Sequence, residues 1–116
     1  SMIDGWITQL RKGVLEYCVL LALRRGESYG YELVQALQRS EDLAVSESTV
    51  YPILARLRQE GFLKSRDVPS AAGPPRRYFS LTPRGKVRLA EMNAYWPMLT
   101  NALEQLKSEK GKESES

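Results

Sequence analysis

The residues of this chain able to do chemistry are mostly bases, and they gather in its middle. Between Ser46 and Lys86 stand Arg56, Arg58, Lys64, Arg66, Arg76, Arg77, Arg84 and Lys86, opposed only by Glu47, Glu60 and Asp67. That local excess, in a chain of formal charge +3, points to a polyanionic partner and not to a solvated surface of mixed sign. Composition argues against other chemistries. There is no histidine and a single cysteine, Cys18, which excludes histidine-based catalysis, the common zinc sites and an intramolecular disulfide. No glycine-rich loop is placed to cradle a phosphate. The expectation is a binding protein and not an enzyme, with no metal and no cofactor.

The bases must be held by elements, and one segment, SESTVYPILARLRQEG, indicates which. Val50, Ile53, Leu54 and Leu57 recur at i, i+3, i+4 and i+7, one buried face of a helix. Opposite that stripe fall Ser48, Pro52, Ala55 and Gln59, flanked by Tyr51 and Arg58 on one side and Thr49 and Arg56 on the other. A ridge of small uncharged residues edged by hydroxyl and guanidinium groups suits close approach to a major groove. Ala55 and Pro52 can meet thymine methyls there, and Gln59 can pair with adenine. Ser46 is placed as N-cap, and Ser48, Thr49 and Tyr51 crowd the phosphate-favouring end of the helix. Pro52 removes an amide from the ladder, and the spacing puts it on the outer face.

Before this helix, residues 3–24 form a first helix. Ile3, Ile7, Leu10, Val14, Tyr17 and Leu21 trace one apolar stripe, and Leu15, Val19, Leu20 and Leu23 a second. Cys18 lies within that run as a small core residue. A second helix, YGYELVQALQR, follows with Ser28 as its expected cap and Leu33, Val34 and Leu37 inward. After the basic helix, FLKSRDV and RRYFSLT read as a hairpin joined by PSAAGPP. Phe79 and Leu81 should point inward, and Arg76 and Arg77 stand at the tip, suited to DNA-backbone or minor-groove contacts; Lys64 is a further candidate on the partner strand. Thr82 and Pro83 start a last helix.

That order predicts a mainly α fold with a small β-hairpin: a winged helix-turn-helix followed by a long dimerisation helix. The expected organisation is a winged domain over residues 3–82, a C-terminal helix over 83–107, and a disordered tail over 108–116.

The last helix carries Leu89, Met92, Trp96, Leu99, Leu103 and Leu106 in a 3-4 alternation, a heptad seam that requires a partner. With Ile3, Ile7 and Leu10 of the first helix, it predicts a homodimer presenting two reading helices ~34 Å apart to a palindromic site. Trp96 precedes Pro97, where a kink is expected. Trp96, Met92 and Leu99, with Trp6 and Leu10, form a candidate aromatic ligand pocket, although packing alone also accounts for both tryptophans.

The motifs LRKGVLEYCVLLALRRGESYGYEL, VSESTVYPILARLRQEGFL and GPPRRYFSLTPRGK resemble those of the PadR family of bacterial transcriptional regulators, over residues 10–106. The resemblance rests on Gly13, Tyr29-Gly30-Tyr31-Glu32, Thr49 to Leu54, Arg76-Arg77-Tyr78 and Leu81 to Gly85. It implies a homodimeric winged-helix repressor of the smaller subfamily, which includes regulators of multidrug efflux, with DNA contacts from the third helix and the wing. Tyr29 joins the DNA-contact candidates through its motif. In drug-binding members a tryptophan aligned with Trp96 stacks planar aromatic compounds between subunits; Pro97 departs from that pattern. The absence of a signal peptide and of an apolar run long enough to span a bilayer predicts a soluble cytoplasmic protein. The competing reading is a winged-helix protein-interaction module that does not touch DNA.

Overall fold

In the computed structural model, which describes residues 2–109, the chain runs α1 (Asp4–Ala22), β1 (Ser28–Tyr29), α2 (Gly30–Gln38), a 3-10 turn (Glu41–Leu43), α3 (Glu47–Gln59), β2 (Leu63–Val68), β3 (Arg76–Leu81) and α4 (Pro83–Ser108). The expected winged helix-turn-helix is present, mainly α with a small sheet. The core is built from the inner faces read above. Leu15, Val19, Leu20 and Leu23 of the first helical segment meet Leu33, Val34 and Leu37 of α2 and Val50, Leu54 and Leu57 of α3. Phe79 and Leu81 close it from the sheet and Leu89 from α4. Cys18 packs against its edge, and burial raises its thiol pKa.

The start of α2 corrects one expectation. Tyr29, not Ser28, is the N-cap, and its amide donates to Glu32 Oε1 at 3.3 Å. Ser28 and Tyr29 instead form a third strand that the sequence reading missed. They pair antiparallel with Phe79 and Tyr78, giving the order β1-β3-β2. Across β2 and β3 the register sets Leu63 opposite Leu81, Arg66 opposite Tyr78 and Asp67 opposite Arg77. The wing is thereby anchored on both edges of β3.

Between α2 and α3 the chain turns through the 3-10 segment, and Ala44 adopts a left-handed conformation at φ 48°. Gln38 Nε2 donates to the Val45 carbonyl across the turn at 3.2 Å. Gly61 ends α3 at φ +85°, a region that L side chains rarely enter.

Thr82 caps α4 as expected, its Oγ1 accepting from the Gly85 amide at 3.0 Å while its hydroxyl donates to the Gly61 carbonyl at 2.6 Å. Gly85 is buried, and a Cβ built there would overlap the carbonyl oxygen of Phe62. The first turn of α4 therefore lies directly on the end of α3. The helix then continues through Pro97 without interruption. Ser108, expected in a disordered tail, is its last residue; residues 110–116 lie outside the described part of the chain.

Candidate nucleic-acid interface

Ser48, Pro52, Ala55 and Gln59 are all exposed on α3, as the helical spacing predicted. At its start Ser46 occupies the N-cap position without a side-chain bond to the helix amides. Its hydroxyl turns sideways, meeting Ser48 Oγ at 2.9 Å and Thr49 Oγ1 at 3.1 Å. First-turn amides are thus left without a side-chain cap at the positive end of the helix dipole, the arrangement that favours an anion. Tyr51 is less free than expected. Gly30 leaves room for its ring, since a Cβ at Gly30 would come within 2.7 Å of Tyr51 Cε1. Desolvation there, followed by Glu47 and Tyr31, raises the Tyr51 pKa.

An open groove of about 860 Å³ separates α3 from the wing. Among the candidate DNA-contact residues, Tyr29, Tyr51, Ala55, Arg58, Arg76 and Arg77 line it. Tyr31, Ser70, Pro74 and Pro75 line it as well and were missed. Their signal was present for Tyr31, in the motif beside Tyr29, but the prolines read only as turn residues. Ser48 and Gln59 stay on the exposed ridge outside the groove wall, Lys64 is exposed on β2, and Thr49 faces a different cleft, toward α1.

The groove is braced by its own side chains. Arg76 lies over the Tyr29 ring at 4.6 Å, Tyr29 packs on Tyr78 at 5.6 Å, and Arg66 covers Tyr78 at 5.5 Å. Arg66 also pairs with Glu27. Arg58 reaches across to Ser65 Oγ at 3.0 Å, joining α3 to β2. Arg77, expected as a free tip cation, instead binds Asp67 across the hairpin at 3.0 Å. The guanidinium group holds the Asp67 carboxyl below the usual carboxylate range. Hairpin register decides this pairing, and the two residues do not announce it by themselves.

A second set of contacts ties α3 to the other helices. Glu16, buried at 7% exposure, accepts from Arg56 of α3 at 3.1 Å and from Arg88 of α4 at 2.9 Å. Arg88 and Arg84 cover the Phe62 ring at 4.7 and 4.6 Å. Nothing in the apolar run around Glu16 signals this role.

The pocket residues Leu10, Met92, Trp96 and Leu99 meet in a cleft of about 230 Å³ between α1 and α4. Tyr17, missed from the sequence, lines it too; its ring packs on Trp96 at 5.8 Å with the planes tilted by 42°, and its hydroxyl donates to Asn93 Oδ1 at 2.6 Å. Trp6 does not line this cleft, being placed farther along α1 and 61% exposed. Of the seam residues, Leu89 is already consumed by the core of its own chain, because the glycine contact seats the start of α4 there. Met92 and Leu99 are half-buried, as is Ile7, while Ile3, Leu10, Trp96, Leu103 and Leu106 are exposed.

Among the described residues no helix is long and apolar enough to cross a membrane. The model of the transcriptional regulator PadR-like family matches residues 19–91, more than half of the chain. A PadR family transcriptional regulator from Eggerthella lenta superposes with a TM-score of 0.82 at 30% identity, covering 94% of this chain and 95% of that one. The negative transcriptional regulator PadR of Bacillus subtilis is 31% identical over 66% of this chain, but the match spans only 43% of its own length. Its structure in complex with operator DNA matches with a TM-score of 0.61 at 31% identity, over 68% of this chain and 46% of that chain. These relatives are regulators and not enzymes. By its family match and its fold, the chain belongs to the PadR-like family of transcriptional regulators.

Proposed function

We propose that the chain is a sequence-specific, homodimeric repressor that binds a palindromic operator and is released by a small planar aromatic ligand. The observation that carries the DNA reading is the groove between α3 and the wing, where six of the expected contact residues converge. Phosphates would sit at the hydroxyl-rich start of α3 and beside Arg76 and Arg77, while Ala55 and Gln59 read base edges. The exposed seam residues of α1 and α4 support a dimer, with residues 3–82 as the reading domain and the later part of α4 as the joining element. Repression is supported by the Bacillus subtilis relative, whose name is that of a negative regulator. The cleft beneath Trp96 is the ligand pocket in this reading.

Fluorescence anisotropy with a promoter fragment tests the assignment. Arg77→Ala should weaken binding to every sequence and reduce the salt slope by about one, whereas Gln59→Ala should cost roughly 1–3 kcal/mol at one base and leave the slope unchanged. If both variants bind every fragment as the wild type does, the reading surface is misassigned. A protein retained on neither duplex DNA nor heparin at low salt would be an interaction module instead. Titrating planar aromatic compounds against tryptophan fluorescence checks the pocket; quenching that survives Trp96→Ala removes it.

A further inference from the structure

On the side of α3 opposite the wing lies another cavity, of about 430 Å³, between α3 and α1. Its size falls within the range of small-molecule sites, which are mostly apolar with a few convergent polar groups. Leu15 and Ile53 form its apolar part. Arg11, Lys12 and Arg56 bring three cations to the same wall, and no aspartate or glutamate is among the described residues lining it. Arg56 is engaged by Glu16 and Glu60. Arg11 is not so served: its Nε is buried and has no hydrogen-bond partner. A buried guanidinium donor without an acceptor is costly, and native structures rarely tolerate one without reason.

We infer that this cavity is a binding site for a small amphipathic carboxylate, its head on Arg11 and Lys12 and its apolar body over Leu15 and Ile53. The fork of the guanidinium group matches a carboxylate in two parallel hydrogen bonds. A bare inorganic anion would leave the apolar floor uncovered, and a neutral amphiphile would leave the donors unmet. The site is separate from the Trp96 cleft, with which it shares no lining residue. Thr49 also lines it, so an occupant touches the first turn of α3, where Thr49 Oγ1 is hydrogen-bonded to Ser46.

Isothermal titration of the full chain with hexanoate, hexanol and inorganic phosphate tests the inference without DNA, so its failure is distinguishable from a failure of the repressor reading. Hexanoate should bind saturably, and hexanol and phosphate much more weakly. The Arg11→Met/Lys12→Met variant, which keeps the side-chain stems, should weaken hexanoate about tenfold or more. Lys12→Met alone, at an exposed position, should weaken it in the same direction should the double variant fold poorly. The inference is overturned if hexanoate does not bind, if hexanol binds as well, or if the variants bind hexanoate unchanged. It is equally overturned if phosphate competes on equal terms, which would make the wall a contact for nucleic-acid backbone.

Discussion

The two long helices each contain a half that the chain uses and a half that it leaves open. In α1, Leu15, Val19 and Leu20 are at most 3% exposed, whereas Trp6 and Leu10, and Ile3 just before the helix, are about half exposed or more. In α4, Leu89 is 6% exposed and Leu106 is 67%. Residue type does not separate the halves, since leucine serves in both. What separates them is whether another element of the same chain comes within reach. At the inner ends, small residues and polar clamps bring backbone onto backbone: Gly85 on Phe62, and Thr82 between Gly61 and the helix amide. At the outer end of α1 the glycine, Gly5, meets open space and no such backbone contact. Apolar side chains left open in this way are the ones that the proposed dimer would cover.

The comparison is broken most severely at its inner end. Gly85→Ala places a methyl group against a backbone carbonyl that cannot move without unseating α4. It should cost about 3 kcal/mol of stability and lower the melting temperature by roughly 10 °C or more, read by calorimetry. A melting curve like that of the wild type would show that the α4 junction is looser than described. At the outer end the expected effect is on association. Leu103→Asp with Leu106→Asp should leave the monomer fold intact by circular dichroism while raising the dimer dissociation constant about a hundredfold in sedimentation equilibrium. Unchanged association would move the dimer seam elsewhere.

The smallest effect sharpens the contrast within the wing. Arg77 depresses the Asp67 pKa, so the pair contributes stability above the ordinary carboxylate range, and the contribution disappears as pH falls through the lowered folded-state value. Asp67→Asn should flatten that part of the acid-unfolding profile only slightly, because both partners are exposed. The same variant should tighten DNA binding by about threefold, because it removes one negative charge beside the groove in screening solvent. Weaker DNA binding would mean that Asp67 is needed to aim Arg77.

Much of this organisation was legible because it depends on periodicity and on residues with narrow conformational preference. The stripe Val50, Ile53, Leu54 and Leu57 identified α3 and its outer ridge, and Thr82-Pro83 identified the start of α4. The start of α2 was misread because a strand of two residues, Ser28 and Tyr29, has no period to detect; it exists only through its pairing with β3. Asp67 opposite Arg77 required the hairpin register, and Glu16 required the packing of three helices around one carboxylate. Both are long-range facts. A lone acid in an apolar helix has no sequence signature for the arginines that will find it.

The packed series Arg76, Tyr29, Tyr78 and Arg66 stiffens the sheet, and Arg58 reaching Ser65 ties that sheet to α3, so helix and wing stand as the two jaws of a calliper set to one gauge. In the proposed complex, a duplex entering between such jaws would have to take up their spacing. Sequences whose grooves already match the gauge enter with little deformation, and stiffer or wider ones do not. On that reading selectivity would arise from how readily each site deforms, including at base pairs that no side chain touches.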